Sequence, residues 1–297
     1  MLIGAHISTQ GDYRKMAAYA QEVGCECVQI FAKSPRMWRQ KPMGLDKRTE
    51  MQEARTVFDF GPVLTHTSYL INLTTPKPDL YEKSIEALAD ELVRGAIIEA
   101  VGVNTHVGNV PDEDRDAARA RAAMAVERAF ALADDACAKL GISCDTRLIF
   151  ENTAGAGTSF GGAMNELTAL IDATDIERER MGITVDTCHA WAYGYDVATA
   201  EGWQELVDEL LGAGALDLWH FVHANDCKFP RGSKRDRHAW IGEGEIGIEG
   251  FRALFALVAD YPELEQLCWT VEMPGEEPQK DIVNIDALKE LRALERV

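Results

Sequence analysis

Residues 181–191 read Met-Gly-Ile-Thr-Val-Asp-Thr-Cys-His-Ala-Trp. The apolar run from Ile183 to Val185 reads as a short buried strand. It leads directly into Asp186 and, three residues on, His189. A carboxylate and an imidazole at a strand's C-terminal end are ready donors to a divalent cation. The fold and the chemistry both turn on whether the chain repeats this arrangement.

Working outward from this stretch, strand-like runs recur at 2–8, 27–33, 62–69, 102–107, 146–152, 182–187, 218–224 and 267–273. Amphipathic, helix-like stretches lie between and after them, near 12–23, 46–58, 79–100, 113–140, 162–173, 199–211, 249–259 and 284–296. Continuous apolar strands joined by helical crossovers imply a parallel sheet covered on its outer face. Eight such units close into an α/β fold, a (β/α)8 TIM barrel with a parallel eight-stranded core, for which about 250 residues suffice. A doubly wound open sheet is the alternative, weakened because no Gly-x-Gly-x-x-Gly turn follows the first strand. No linker, low-complexity tract or repeat divides the chain, so residues 1–297 are expected to form one domain. The longest irregular segment, 225–248, follows the seventh strand. On a barrel it lies at the C-terminal face, where active sites are built.

Composition narrows the function. Hydrophobic residues make up 46% and charged residues 27%, as in ordinary globular proteins. No apolar run is long enough to cross a bilayer, and the start MLIGAHIS lacks the regions of a signal peptide, so a cytoplasmic location is expected. The seven cysteines are odd in number and form no Cys-x-x-Cys pair, which argues against a disulfide framework or a thiolate zinc knuckle. A net charge of −19 is wrong for a uniform nucleic-acid binder, but it is unevenly spread. Residues 33–48 hold six Lys/Arg against one Asp, and residues 228–238 hold five against one. These are either solvated loops or a basic face on an acidic body.

The strand ends carry the chemistry. The third ends at His66, the fourth at His106, the fifth at Glu151, the seventh at His223 and the eighth at Glu272; the sixth supplies Asp186 and then His189. The loop after the seventh adds Asp236 and His238. One histidine at a strand end is ordinary, but recurrence on strands whose tips converge is not. Imidazole and carboxylate donors without thiolate suit Zn2+, with Mn2+ or Fe2+ possible. Nine donors are too many for one tetrahedral ion and enough for three if a carboxylate bridges. With neutral imidazoles the nine carry −4, so three divalent ions leave about +2, a charge that attracts a phosphodiester.

At this point the residues become recognisable. GAHIS at 4–8, THTSYLINL at 65–73, ENTAGAGT at 151–158, VDTCHAWAYGYD at 185–196, HANDCK at 223–228 and DRHAWIGEGEIG at 236–247 resemble the endonuclease IV family of zinc-dependent abasic-site endonucleases. The resemblance runs from Gly4 to Glu272. It implies a (β/α)8 barrel and base excision repair on double-stranded DNA. Cleavage 5′ to the abasic site would leave a 3′-hydroxyl and a 5′-deoxyribose phosphate, and blocked 3′ ends would also be removed. It groups His66, His106 and Glu151 on a first zinc; Glu151, Asp186, His223 and Glu272 on a second; and His189, Asp236 and His238 on a third. Glu151 and Glu272 are then the carboxylates closest to the chemistry. The family's wedge into the minor groove corresponds to Tyr69 and Leu70 with Arg36. Phosphate contacts are expected from Lys33, Arg36, Arg39, Lys228, Arg231, Lys234 and Arg235, and a stacking contact from Trp240. His6 and Asn152 are expected beside the ligands, orienting them through hydrogen bonds. The chain departs from the family pattern at Met37, Thr67, Val107 and Ala239, none of them a ligand position. A monomer without membrane contact is expected. Two other functions stay open: a sugar isomerase or epimerase on a similar barrel, which needs fewer metals, and a non-catalytic lesion-binding protein.

Overall fold

The computed structural model describes residues 1–9, 11–58, 60–110, 114–273 and 278–294. Eight parallel strands close a barrel in sequence order: β1 (Leu2–His6), β2 (Cys27–Phe31), β3 (Val63–His66), β4 (Gly102–Thr105), β5 (Arg147–Glu151), β6 (Met181–Asp186), β7 (Trp219–His223) and β8 (Cys268–Val271). β1 pairs with both β2 and β8, which completes the ring. All eight expected strands are present, each ending one to three residues short of its sequence-based limit.

The helices surround the ring. They are α1 (Tyr13–Glu22), α2 (Asp46–Phe58), α3 (Pro78–Ile97), α4 (Arg115–Leu140), α5 (Met164–Asp172), α6 (Thr187–Tyr193), α7 (Ala200–Gly212), α8 (Gly247–Asp260) and α9 (Pro278–Leu294). Local chemistry sets several ends. Asp12 caps α1 by accepting from the Arg14 and Lys15 amides, Thr199 caps α7 through Gly202, and Gly141 stops α4 at φ 73°. Two differences from the sequence reading stand out. The short helix α6 stands where the sequence reads as a turn, and α9 begins six residues before the expected start of its stretch. Residue 113 and residues 295–296 of the expected helices lie outside the described residues.

The strand period of two divides the barrel interior into layers. At the lower end Cys27, Leu64, Ile149, Phe221 and Cys268 form their own apolar cluster. One step up on the same strands come Gln29, His66, Glu151, His223 and Thr270. The outer faces pack on helices; Trp269 of β8 stacks on Phe255 of α8 with ring centroids 4.2 Å apart. Segment 225–248 is not irregular throughout. Asp226–Cys227 pairs antiparallel with His238–Ala239, and the Asp226 carboxylate accepts from the amides of Gly242, Gly244, Ile246 and Gly247. This carboxylate folds the loop back over the barrel mouth.

Close strand approach depends on Gly4, where a Cβ would stand 1.7 Å from the Cys27 carbonyl oxygen. Gly4→Ala should therefore push β1 from β2 and cost about 1–3 kcal/mol, the usual scale of overpacking, as read from the urea midpoint. An unchanged midpoint would mean that the ring yields at this point more easily than its packing implies.

Candidate metal centre

Strand parity places the donors. His66, Glu151, Asp186 and His223 end their strands, while His106 and Glu272 follow theirs within one residue. All face the upper end of the barrel interior. His189 arrives differently. Asp186 is the N-cap of α6, its Oδ1 accepting from the His189 amide at 2.7 Å. The cap therefore fixes the first turn of α6 and with it the ring of His189. Asp236 and His238 enter from the hairpin, and the His238 Nδ1 lies 2.8 Å from the Glu272 carbonyl oxygen.

Donor atoms fall into three groups, each within 4.8 Å of one another: His66, His106 and Glu151; Glu151, Asp186, His223 and Glu272; His189, Asp236 and His238. A fourth combination, Asp186, Cys188 and His238, reuses two of the same donors. Glu151 is central and 1% exposed. Its Oε2 lies 3.3 Å from His66 Nε2 and 3.7 Å from His106 Nε2, while its Oε1 lies 3.1 Å from the Nδ1 atoms of both His189 and His223.

Amides hold these donors from behind, and sequence reasoning found only one of them. Asn152 accepts from the Asp186 amide at 2.7 Å, and its carbonyl oxygen is 3.0 Å from His189 Nδ1. It therefore contacts two of the clustered residues. Gln29, Asn104 and Asn225 were missed. Gln29 donates to Glu272 Oε1 at 2.7 Å and is 2.8 Å from His223 Nε2 through its own Oε1. Asn104 donates to Glu151 Oε2 at 2.5 Å. Asn225 donates to Asp186 Oδ2 at 2.7 Å and accepts from the Glu272 amide at 2.9 Å. Their signal lay in the same inward parity that exposed the ligands. His6 completes the ring of contacts, with Nδ1 3.1 Å from Glu272 Oε1.

The electrostatics are those of opposed charges crowded out of water. Burial drives His106 down to about 4. Burial also opposes protonation of His223, but Glu272 and Glu151 outweigh it and lift the ring to about 9. His238 rises likewise to about 9 against burial, through Asp236 and then Asp186. Burial disfavours the charged form of Glu151 too, yet the surrounding imidazoles hold it well below the usual carboxylate range. Among the buried ring nitrogens without a hydrogen-bond partner are His223 Nδ1 and His238 Nε2. Each lies within 4 Å of several carboxylate oxygens. A divalent cation between nitrogen and oxygen satisfies both, so the donor set fits such ions.

The remaining expected contacts divide. Tyr69 is 66% exposed at the mouth, its ring 5.6 Å from that of His66, so it is not a core anchor of its loop. Leu70 beside it and Trp240 after the hairpin are half-buried. Two cavities meet at Tyr69, one of about 1030 Å³ toward His6 and Glu272, the other of about 250 Å³ toward His106 and Asp236. Arg36, Lys228 and Lys234 are exposed. Arg39 reaches Glu86 at 2.9 Å, Arg231 pairs with Asp196, and Arg235 lies 3.7 Å above the Phe229 ring. Lys33 corrects the sequence reading. Its side chain is fully buried, with Nζ 2.9 Å from Asp90 and 3.6 Å from Glu91, so it has no face for a phosphate.

Among known proteins, residues 17–293 match the xylose isomerase-like TIM barrel family. The chain is 36% identical over 291 residues to a probable endonuclease 4 of Methanoculleus marisnigri, covering 98% of this chain and 99% of that one. In structure it is similar to endonuclease IV from Thermus thermophilus, with a TM-score of 0.82 and 30% identity over 100% of both chains. A D-tagatose 3-epimerase-like protein has a TM-score of 0.73 at 18% identity over 100% of this chain and 98% of that one, a likeness of fold alone.

The amide buttress can be tested without any cation. Asn225→Ala should lower stability by about 1–3 kcal/mol, because it strips hydrogen bonds from a buried carboxylate and a backbone amide. Denaturation in excess chelator measures this, and an unchanged midpoint would show that the contacts contribute nothing to the fold.

Proposed function

The chain belongs to the endonuclease IV family of metal-dependent abasic-site endonucleases, enzymes of DNA repair, and on that premise we propose that its nine clustered donors hold three divalent ions, zinc at each, to cut duplex DNA 5′ to the lesion. One observation carries the reading: the two oxygens of Glu151 face different donor groups, Oε2 toward His66 and His106, Oε1 toward His223. A carboxylate so divided suits a bridge between two ions. The number of imidazoles in the three groups favours zinc over harder cations.

Zinc bound there supplies activated water, neutralisation of the phosphate and stabilisation of the leaving oxygen at neutral pH. The chain's own residues do the rest. Glu272 keeps Oε1 engaged by Gln29 and turns Oε2 toward His223. Asn152, Asn104 and Asn225 hold Asp186, His189 and the carboxylates in place, as ligand orientation requires. Tyr69, half out of the mouth, with Leu70 and Arg36, takes the place of the missing base and keeps the sugar turned inward. Lys228 and Lys234 lie along the phosphates, with Arg39, Arg231 and Arg235 beside them. Removal of 3′ blocking groups uses the same centre, since the same phosphodiester chemistry is required.

Elemental analysis should find three zinc ions per chain, and the loaded protein should nick a duplex bearing one tetrahydrofuran abasic analogue. One ion or none would favour the sugar-enzyme alternative instead. Glu151→Gln should cut the incision rate by well over about a hundred-fold, more than the loss of an outer partner of a ligand; near-normal incision would overturn the bridge.

Protonation offers an independent check. The metal-free chain holds protons on His223 and His238 up to about pH 9 that the unfolded chain releases near 6.5. Their contribution to metal-free stability is complete below 6.5 and is lost as pH rises through 9. Zinc must displace these protons, so its apparent affinity should rise with pH toward about 9. An indicator dye in weak buffer should record proton release when zinc is added near pH 7, falling away above about pH 10. Release independent of pH across that span would contradict the assignment.

A further inference from the structure

Two rim elements carry the residues placed in the DNA above: the loop after β2 bears Arg36, and the turn after β3 bears Tyr69 and Leu70. Neither is held by deep packing of its tip, since Met37 is 50% and Tyr69 66% exposed. Behind the β2 loop lies the larger cavity, bounded in part by Lys33, Pro35 and Lys41. The ties are polar and converge on one turn of α3. Asp90 Oδ2 accepts from Lys33 Nζ and from Arg94 Nε, both at 2.9 Å. Arg94 also donates to the Lys41 carbonyl oxygen at 2.7 Å, so the two ends of the Arg36 loop meet the same turn. Glu91, 1% exposed, lies 3.6 Å from Lys33 Nζ and accepts from the Ser68 amide at 3.2 Å. The Ser68 hydroxyl accepts from the Leu70 amide at 3.2 Å and donates to the Pro35 carbonyl oxygen at 2.8 Å, one residue from Arg36.

We infer that Lys33 is a positioning residue for lesion recognition: by joining the Arg36 loop to the Asp90–Arg94 turn, which also holds Ser68, it sets Arg36 in register with Tyr69 and Leu70. Lys33 and Arg94 meet Asp90 and Glu91 here; burial lifts the Glu91 carboxyl to about 7 and the Lys33 ammonium beside it works in the opposite direction, so the four groups depend on one another. Such an arrangement resists sliding of one loop past the other, because any shift breaks a hydrogen bond to a buried charge. It also accounts for a lysine in the basic 33–48 segment that faces away from solvent. The inference rests on the reading of Arg36, Tyr69 and Leu70 as the residues that enter the DNA.

Lys33→Met alone removes the cation that favours the ionised form of Glu91, so it alters the charge at the Ser68 contact as well as the Lys33 tie. Lys33→Met/Glu91→Gln removes both charges, keeps an acceptor for the Ser68 amide, and is the variant to assay in the zinc-loaded protein. Its KM for a tetrahydrofuran duplex should rise about ten-fold with kcat within about two-fold. Zinc content and the salt dependence of DNA binding should match the parent. A salt slope lower by about 0.9 would mark Lys33 as a phosphate contact, and an unchanged KM would show that the tie positions nothing; either overturns the inference. Should the double variant not fold, Ser68→Ala leaves the charges intact and cuts the tie to Pro35. It should raise KM likewise, and an unchanged KM there overturns the inference as well. Tyr69→Ala in the same assay separates the two layers. If it too leaves KM and lesion preference untouched, the reading of the wedge fails; if it alone raises KM, only the role of Lys33 fails.

Discussion

The structure depends on the two-residue alternation of eight parallel strands that close on themselves. Closure sends every second side chain into a space only a few residues wide. Below, that space is filled by Cys27, Leu64, Ile149, Phe221 and Cys268. One layer higher the same alternation leaves no room for solvent around Glu151, Asp186 and His223, which are at most 1% exposed. A carboxylate cannot stay charged there without partners. The imidazoles and carboxylates of neighbouring strands are those partners, and the same closeness makes them joint donors to a cation. Packing and chemistry thus impose one requirement on the strand ends, and a change in the register of any strand would fail both.

What separates a charge-balanced interior from a working centre is orientation. The residues behind the donors are mostly amides: Gln29, Asn104, Asn152 and Asn225. An amide is suited to this because it both donates and accepts while adding no charge to a site already crowded with it. Gln29 shows the economy: one side chain donates to Glu272 and accepts at His223. Asn225 does the same between Asp186 and the Glu272 backbone. The hairpin that carries Asp236 and His238 is fixed by a carboxylate, Asp226, because there the partners are backbone amides and the need is for an acceptor alone.

The barrel by itself is silent on function, as its likeness to an epimerase-like protein at 18% identity makes plain. The site gives the direction. Three groups of metal-capable side chains crowd beneath an exposed tyrosine.

The sequence by itself determined the barrel and pointed to the side chains that cluster at its strand ends. Periodicity is a local property: strands and helices alternate along the chain, and His66, His106, Glu151, Asp186, His223 and Glu272 fall where strands stop. Their inward direction follows from counting by twos. The short helix α6 escaped that count because seven residues carry too little periodicity; what makes it a helix is the Asp186 cap. The family resemblance implied how these side chains group, but the contacts that bring them together are tertiary, since Glu151 meets His66 and His189 across the barrel and not along the chain. Gln29, Asn104 and Asn225 came to light only in the tertiary structure, because an Asn or Gln acquires meaning from what it faces. It also reversed the reading of Lys33. A lysine in a basic loop reads as solvated until helix α3 is seen to bring Asp90 and Glu91 against it, and that encounter lies 57 residues away along the chain.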